Sequence, residues 1–472
     1  MKSYLFVIIV IFHITTFAKR QPDVIIELCR HGARAPMQTT YDPTWPETEI
    51  GQLIPAGMRQ HYILGQELLE TYPDILGQPF NWENVFILSD LCNRTIQSAS
   101  AQLYGIYQGR GPGLGSNFNE EIAVPPYNEA EATEIISGLT DSAALPYNYY
   151  PFVIPVVDLS NFTQGTLFGT LGFETCVNME TWIEENMEDQ NAQQSWAIFN
   201  ETITNLNNYA TSPLTNGLEV TAFADTAYSN IMAGKPLPGG MPANDSQLLS
   251  NMTFAYSWWM TYLFMGQEVE NYVGAYELVT TILSFVEGAI NGTNSNNFML
   301  LSGHDGNVAA VLGALGMLSA EQVMANFNAS VANMSQPYPS AYWPPYASSL
   351  IFELYNTTNP YLRVTYNGEA LPLCDGETEC EWSQFEWIMM NGIGNYTLAD
   401  VDNACGYNPT TVQLNLPSTP SSFADIGYMA AIILLIVALG IAIGKIVSDG
   451  KKHKQEVARV RSALLSSEKN IL

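Results

Sequence analysis

The chain has 472 residues, 47% hydrophobic and 13% charged, with a formal net charge of −29. That apolar content excludes a disordered chain and suffices for one large domain or two unequal ones. Between Gln21 and Ala424, 6 Arg and 1 Lys stand against 42 Asp and Glu, which speaks against nucleic acid and anionic membrane surfaces as partners.

The start, MKSYLFVIIVIFHITTFA, joins a basic Lys2, an apolar run from Leu5 to Phe12 and a small Ala18. This is the layout of a cleaved signal peptide over residues 1–18. VIIELC (Val24–Cys29) is a short, β-branched apolar run and reads as a buried strand; NVFILSD (Asn84–Asp90) and NFMLLSG (Asn297–Gly303) read the same way. GMRQHYILGQELLETYPD (Gly57–Asp74) has apolar residues at helical spacing, and NVAAVLGALGML (Asn307–Leu318) is a second helix. Strands alternating with helices imply an α/β layered core with a central mixed sheet flanked by helices. The polar helical stretch at about 165–265 reads as a smaller α-helical cap domain inserted in it. Ser348–Tyr355 and Tyr361–Gly368 read as a β-hairpin joined by NTTNP.

This folded part is expected to span 21–415, followed by a stalk over 416–425. Ile426–Gly444 has no charge over 19 residues, and one C-terminal transmembrane helix is expected over 426–447. The basic residues that follow place the tail, 448–472, in the cytoplasm. The expectation is a single-pass type I membrane protein, lysosomal, endosomal or at the cell surface. Ten Asn-x-Ser/Thr acceptors, from Asn93 to Asn395, and all six cysteines precede the anchor, as a secretory route requires. Six cysteines permit 15 pairings, which sequence alone does not choose.

Three short stretches hold the useful cations: Arg30-His31-Gly32-Ala33-Arg34, Arg94 in SDLCNRTIQSA, and His304-Asp305 in LLSGHDGNVAAVLG. Each follows an expected strand, and sites in open α/β sheets form beyond the carboxyl ends of strands. The three are therefore expected to converge on one crevice. Guanidinium groups match phosphate oxygens in bidentate fashion, and Gly32 lets backbone approach an anion. His31 is then a candidate nucleophile toward phosphorus, His304 a phosphate hydrogen bonder, and Asp305 a general acid that favours an acidic optimum when protonated. Nearby arginines disfavour imidazolium, so His31 is expected to stay neutral below its ordinary pKa of about 6.5. No cofactor is implied, and no His/Asp spacing demands a metal. His61, on the first expected helix, reads as a satisfied structural histidine.

Arg30-His31-Gly32-x-Arg34-x-Pro36, Asn93-Arg94-Thr95 before Ser98-Ala99, and His304-Asp305 together resemble the signature of the histidine acid phosphatases. The likeness runs from Val24 to about Cys405 and includes GMRQHYILGQ. It implies that His31 forms a phosphohistidine, that Arg30, Arg34, Arg94 and His304 hold the phosphate, and that Asp305 donates the proton. It implies an acid phosphatase acting on small phosphate monoesters, phosphorylated proteins or phospholipid head groups, and a homodimer, as the family is often dimeric. His-Asp in place of His-Ala-Glu sets the chain apart from inositol-polyphosphate phosphatases. The single anchor and short tail are similar to the lysosomal and prostatic branch. The resemblance also implies disulfides Cys374–Cys380 and Cys176–Cys405. Cys29 and Cys92 remain, each within two residues of a proposed phosphate-gripping arginine, and a third bridge between them under the site is an expectation outside the family pattern. Asn93 is expected to escape glycosylation if Arg94 lines a closed site. The reading from another functional class is a catalytically weak ectodomain that binds a phosphorylated ligand.

Overall fold

The computed structural model describes residues 20–110, 145, 149–157, 176 and 178–406. The expected signal peptide (1–18), stalk (416–425), membrane span (426–447), tail (448–472) and the first part of the helical cap lie outside them. Among the described residues, only Glu268–Ile290 is long and apolar enough to cross a membrane. Its Val273, Leu278, Ile282 and Val286 lie in the main apolar core, so it is a core helix.

The chain opens with β1 (Val24–Arg30), α1 (Pro55–Thr71), β2 (Val85–Ser89) and α2 (Asn93–Tyr107). Six helices follow: α3 (Asn178–Glu188), α4 (Gln190–Ile198), α5 (Asn200–Asn207), α6 (Gly217–Ala233), α7 (Ser246–Met265) and α8 (Glu268–Ile290). Then come β3 (Phe298–Gly303), α9 (Asp305–Ala314), α10 (Ala320–Val331), β4 (Ser349–Tyr355), β5 (Tyr361–Tyr366), β6 (Glu369–Ala370), β7 (Glu379–Glu381), α11 (Trp382–Gly392) and α12 (Leu398–Ala404).

The strands form one mixed sheet in the order β2-β3-β1-β4-β5-β6, with β7 also paired to β5. β1, β2 and β3 are parallel; β4 runs antiparallel to β1, and β5 to β4. Both β1 and β3 are buried along their whole length, as strands covered on two faces must be. Alternation along β1 divides the core. Ile25 and Cys29 pack with Leu68, Leu103 and Ile106 under α1 and α2. Val24, Ile26 and Leu28 join the larger core that α6 to α9 build on the opposite face. That larger core draws on α3 to α8, so the helices expected as a cap pack within the same compact unit as the sheet.

The same alternation corrects one expectation. Cys176–Cys405 and Cys374–Cys380 are disulfides, but Cys29 and Cys92 are free. Cys29 points to the α1–α2 face, opposite its neighbour Arg30, and its thiol donates to Gln102 Oε1 at 3.8 Å. Closeness of the two arginines in space therefore says nothing about the two sulfurs, because adjacent strand residues face opposite ways.

Beneath the end of β1 lies a buried polar chain. Gln102 on α2 donates to the Glu27 carboxyl, Ser349 donates to the same group at 2.7 Å, and His61 Nδ1 lies 2.9 Å from the Gln102 side-chain amide. His61 Nε2–H donates to the carbonyl oxygen of Arg30 at 3.0 Å. His61 is thus fully buried, as expected of a structural histidine, and it supports the backbone next to His31. Burial pushes the Glu27 carboxyl up to about 7, against the opposing hydrogen bonds from Ser349 and Gln102.

Two predictions follow from this packing. α1 and α2 cross in backbone contact: a Cβ on Gly105 would lie 2.1 Å from the Tyr62 carbonyl oxygen, and one on Gly65 equally close to that of Gln102. Gly105→Ala should lower the melting temperature by several degrees, although Ala in an open helix position stabilises by about 1 kcal/mol; an unchanged or higher value would contradict the contact. Glu27 holds a proton when folded that the unfolded chain releases above about 4.5, so its stabilisation is complete at acid pH and is lost as pH rises through about 7. Glu27→Gln should therefore be close to neutral near pH 5 and gain on the parent by on the order of 3 kcal/mol near pH 8, read by denaturant unfolding at both values.

Candidate active site

The parallel register brings the three cationic stretches together. Arg30 pairs with Gly303, and Ser89 and Cys29 flank Ser302, so β1, β2 and β3 end level with one another. Residues 31, 90 and 304 leave the sheet side by side. His31, Arg30 and His304 are 2%, 3% and 4% exposed, and the His31 and His304 rings meet edge to face at 5.4 Å. All six residues expected from the sequence belong to this cluster, joined by the contacts below.

His31 Nδ1–H donates to the Gly32 carbonyl at 2.8 Å. That contact fixes the tautomer and leaves Nε2 as the basic nitrogen. Burial, then the charges of Arg30, His304, Arg94 and Arg34, hold its pKa well below 6.5. The imidazole is neutral in mildly acid solution, as expected from the sequence. The loop beyond it is seated on α1: a Cβ on Gly32 would lie 2.3 Å from the Gly57 carbonyl oxygen. Gly32 is therefore required by packing against α1, whereas the sequence suggested close approach to an anion. Ser98 ties this loop to α2 by accepting from the Gly32 N–H at 3.0 Å and donating to the Arg94 carbonyl at 2.6 Å.

Each arginine is oriented by a separate partner. Arg30 donates to the Pro344 carbonyl at 2.6 Å, pairs with Asp305 Oδ2 at 2.9 Å and lies 4.2 Å from the centre of the Tyr346 ring. Arg34 makes a two-pronged pair with Asp225, at 2.8 and 3.0 Å. Arg94, in the first turn of α2, reaches His304 Nδ1 at 3.4 Å. His304 Nε2 in turn meets Asp90 Oδ2 at 2.8 Å, so the Arg94 side presents a donor to an acceptor nitrogen. Burial lowers the His304 pKa in spite of Asp90.

Asp305 begins α9, with His304 as the helix N-cap residue. Burial alone would raise its pKa, but Arg30, with smaller help from the Trp343 indole, Arg34 and His304, brings it down to about 2. Beside Arg30 it is a carboxylate. The sequence marks Asp305 as a general acid when protonated, and the ion pair means that it must first gain that proton.

Three residues of the site escaped sequence reasoning. Asp90 stands in the SDLCNRT stretch at the end of β2, a position that could have marked it. Asp225 lies inside α6 and Tyr346 in the loop before β4, with no local pattern to single them out. Asn93 also departs from expectation: it is exposed on the outer side of α2 while Arg94 turns inward, so inaccessibility does not protect it. Among the described residues, no three His, Cys, Asp or Glu side chains are grouped as metal ligands would be.

A family model, the histidine phosphatase superfamily (branch 2), matches residues 23–367. The chain is 36% identical over 102 residues to lysosomal acid phosphatase of Xenopus laevis, covering 21% of this chain and 23% of that protein. It is 37% identical over 87 residues to prostatic acid phosphatase of Bos taurus, covering 17% and 22%. The matched stretch thus spans under a quarter of these relatives' length. In fold, the chain is similar to a phytase from Citrobacter braakii, with a TM-score of 0.52 at 13% identity over 79% of this chain and 98% of that one. It is equally similar to a Hafnia alvei phytase, with a TM-score of 0.52 at 14% identity over 82% and 98%. With a family model matched across most of its length, this chain belongs to the histidine phosphatase superfamily, branch 2.

Proposed function

We propose that the protein is an acid phosphatase that hydrolyses phosphate monoesters through a phosphohistidine. The observation that carries this reading is the state of His31: neutral, with Nδ1–H tied to Gly32 and Nε2 free among the guanidinium groups of Arg30 and Arg34, which are buried, and of Arg94, which is partly so. Arg30, Arg34 and Arg94 bind the non-bridging oxygens of the ester, and His304, whose Nε2–H is held by Asp90, adds a hydrogen bond from Nδ1 as the imidazolium that a bound phosphate anion favours. Their preset positions stabilise charge that spreads over those oxygens in the transition state. His31 Nε2 attacks phosphorus as the bond to the leaving oxygen breaks, and Asp305 gives that oxygen its proton. Asp305 then takes a proton from water, which attacks phosphorus, breaks the P–N bond and releases inorganic phosphate.

The ion pair between Arg30 and Asp305 decides where the first proton comes from. A phosphate monoester has a second pKa of about 6, so in mildly acid solution it enters as a monoanion carrying a proton. As its oxygens compete for Arg30, Asp305 loses the influence that keeps it ionised, and the proton passes to it. Acid activity then follows from the charge state of the substrate together with a His31 that stays unprotonated. Relatives named as lysosomal and prostatic acid phosphatases, two disulfides and the glycan acceptors support a lysosomal or secreted protein. The uncharged run Ile426–Gly444 is proposed as a membrane anchor on its length and composition.

The full-length protein should hydrolyse p-nitrophenyl phosphate at acid pH, and His31→Ala should lower kcat by at least about a thousandfold; residual activity near the parent level would remove His31 from the mechanism. Asp305→Asn should cost about a hundredfold or more in kcat/KM on alkyl phosphates and far less on p-nitrophenyl phosphate, whose leaving group needs no proton. Equal losses on both would contradict the general-acid role. The alkaline limb of kcat/KM should move with the second pKa of the ester; a limb fixed for every ester would place the proton on the enzyme instead.

A further inference from the structure

The sheet edge that holds the phosphate cradle continues past it. β4 starts and β5 ends at the level where β1 ends, since Ser349 pairs with Cys29 and Tyr366 with Leu350. Over these two strands the edge opens into a cavity of about 470 Å³. Its walls are largely aromatic. Tyr228 and Tyr256 come from α6 and α7, Tyr342 and Trp343 from the loop before β4, and Tyr366 from the end of β5. Arg30, Asp225 and Tyr346 belong both to this cavity and to the cradle, so the two share a wall.

We propose that this cavity receives the leaving group of the ester and selects an aromatic one that carries no further negative charge. The inference rests on the phosphatase reading and deepens it. The leaving oxygen must lie at Asp305 to be protonated, and Asp305 is held by Arg30 and lies beside Trp343, both lining the cavity. The bond that breaks therefore points toward it. Rings pack on rings in offset or edge-to-face fashion and gain beyond plain burial. An apolar cavity of about 150 Å³ holds benzene, so this one has room for two fused rings. Of the charged side chains lining it, Arg30 and Asp225 are balanced by Asp305 and Arg34, so the further charge that a leaving group meets is the Glu369 carboxylate, which repels a second phosphate or a carboxylate.

The test uses the full-length protein and two inhibitors that need no turnover, inorganic phosphate and 1-naphthylmethylphosphonate, whose P–C bond is not hydrolysed, with n-octylphosphonate as an aliphatic control. Binding is measured by calorimetry for the parent, for Ser340→Trp, which fills the cavity from a lining position away from the cradle, and for Tyr342→Ala. In the parent the phosphonate should bind at least about tenfold more tightly than phosphate. Ser340→Trp should bring the two within about threefold while phosphate affinity stays unchanged, and Tyr342→Ala should narrow the gap in part. Equal binding of the two ligands in the parent would overturn the proposal and leave the phosphate site intact. So would a gain that survives both substitutions, or one that n-octylphosphonate matches. Failure of both ligands to bind would overturn the phosphatase reading along with it.

Discussion

The ion pair between Arg30 and Asp305 organises the site. Arg30 is the last residue of β1, and its guanidinium touches Asp305, Pro344 and the Tyr346 ring at once. Through those contacts it fixes the start of α9, the loop before β4 and the floor of the aromatic cavity. Burial disfavours its charge, and the nearby anions and phenol rings overcome that. The same cation depresses protonation of its neighbour His31 and ionises Asp305. One buried charge thus holds Asp305 ionised and, together with burial, keeps His31 neutral, the two groups to which the proposed chemistry assigns proton transfer and bond making.

This arrangement explains the use of scarce positive charge. With so many carboxylates in the chain, an exposed arginine would pair at the surface. Arg30 and Arg34 are instead buried and each is given one carboxylate, Asp305 or Asp225, that orients it. Removing either carboxylate would leave a buried cation uncompensated, which is costly. Asp225 comes from α6, so the helical region between β2 and β3 supplies part of the cradle as well as much of the core.

The chemistry of the site was legible in the sequence because it is local. Arg30, His31, Arg34, Arg94, His304 and Asp305 lie at the ends of β1, β2 and β3 or in the loops and first helical turns just beyond, and short apolar runs mark those strands plainly. The mixed sheet, the hairpin and the helices after the first and third site stretches, read over Gly57–Asp74 and Asn307–Leu318, were legible for the same reason. What partners those residues was not. Asp225 and Tyr346 reach the site from elements far along the chain, and no periodicity reports a contact of that range. The free Cys29 and Cys92 show the limit from the other side: nearness in sequence to converging residues ignores the alternation of side chains along a strand. Asp305 shows a third limit, since a carboxyl's charge depends on which cation meets it and at what distance.

The account stands on Nε2 of His31 being the atom that bonds to phosphorus. The most direct measurement is to mix full-length protein with a labelled aryl phosphate, quench in alkali within milliseconds, and locate the phosphoryl group by mass spectrometry and phosphorus NMR. The account predicts phosphate on His31, bonded to Nε2, with Nδ1 unmodified. Phosphate on another residue, on Nδ1, or no trapped phosphoprotein during active turnover would contradict it.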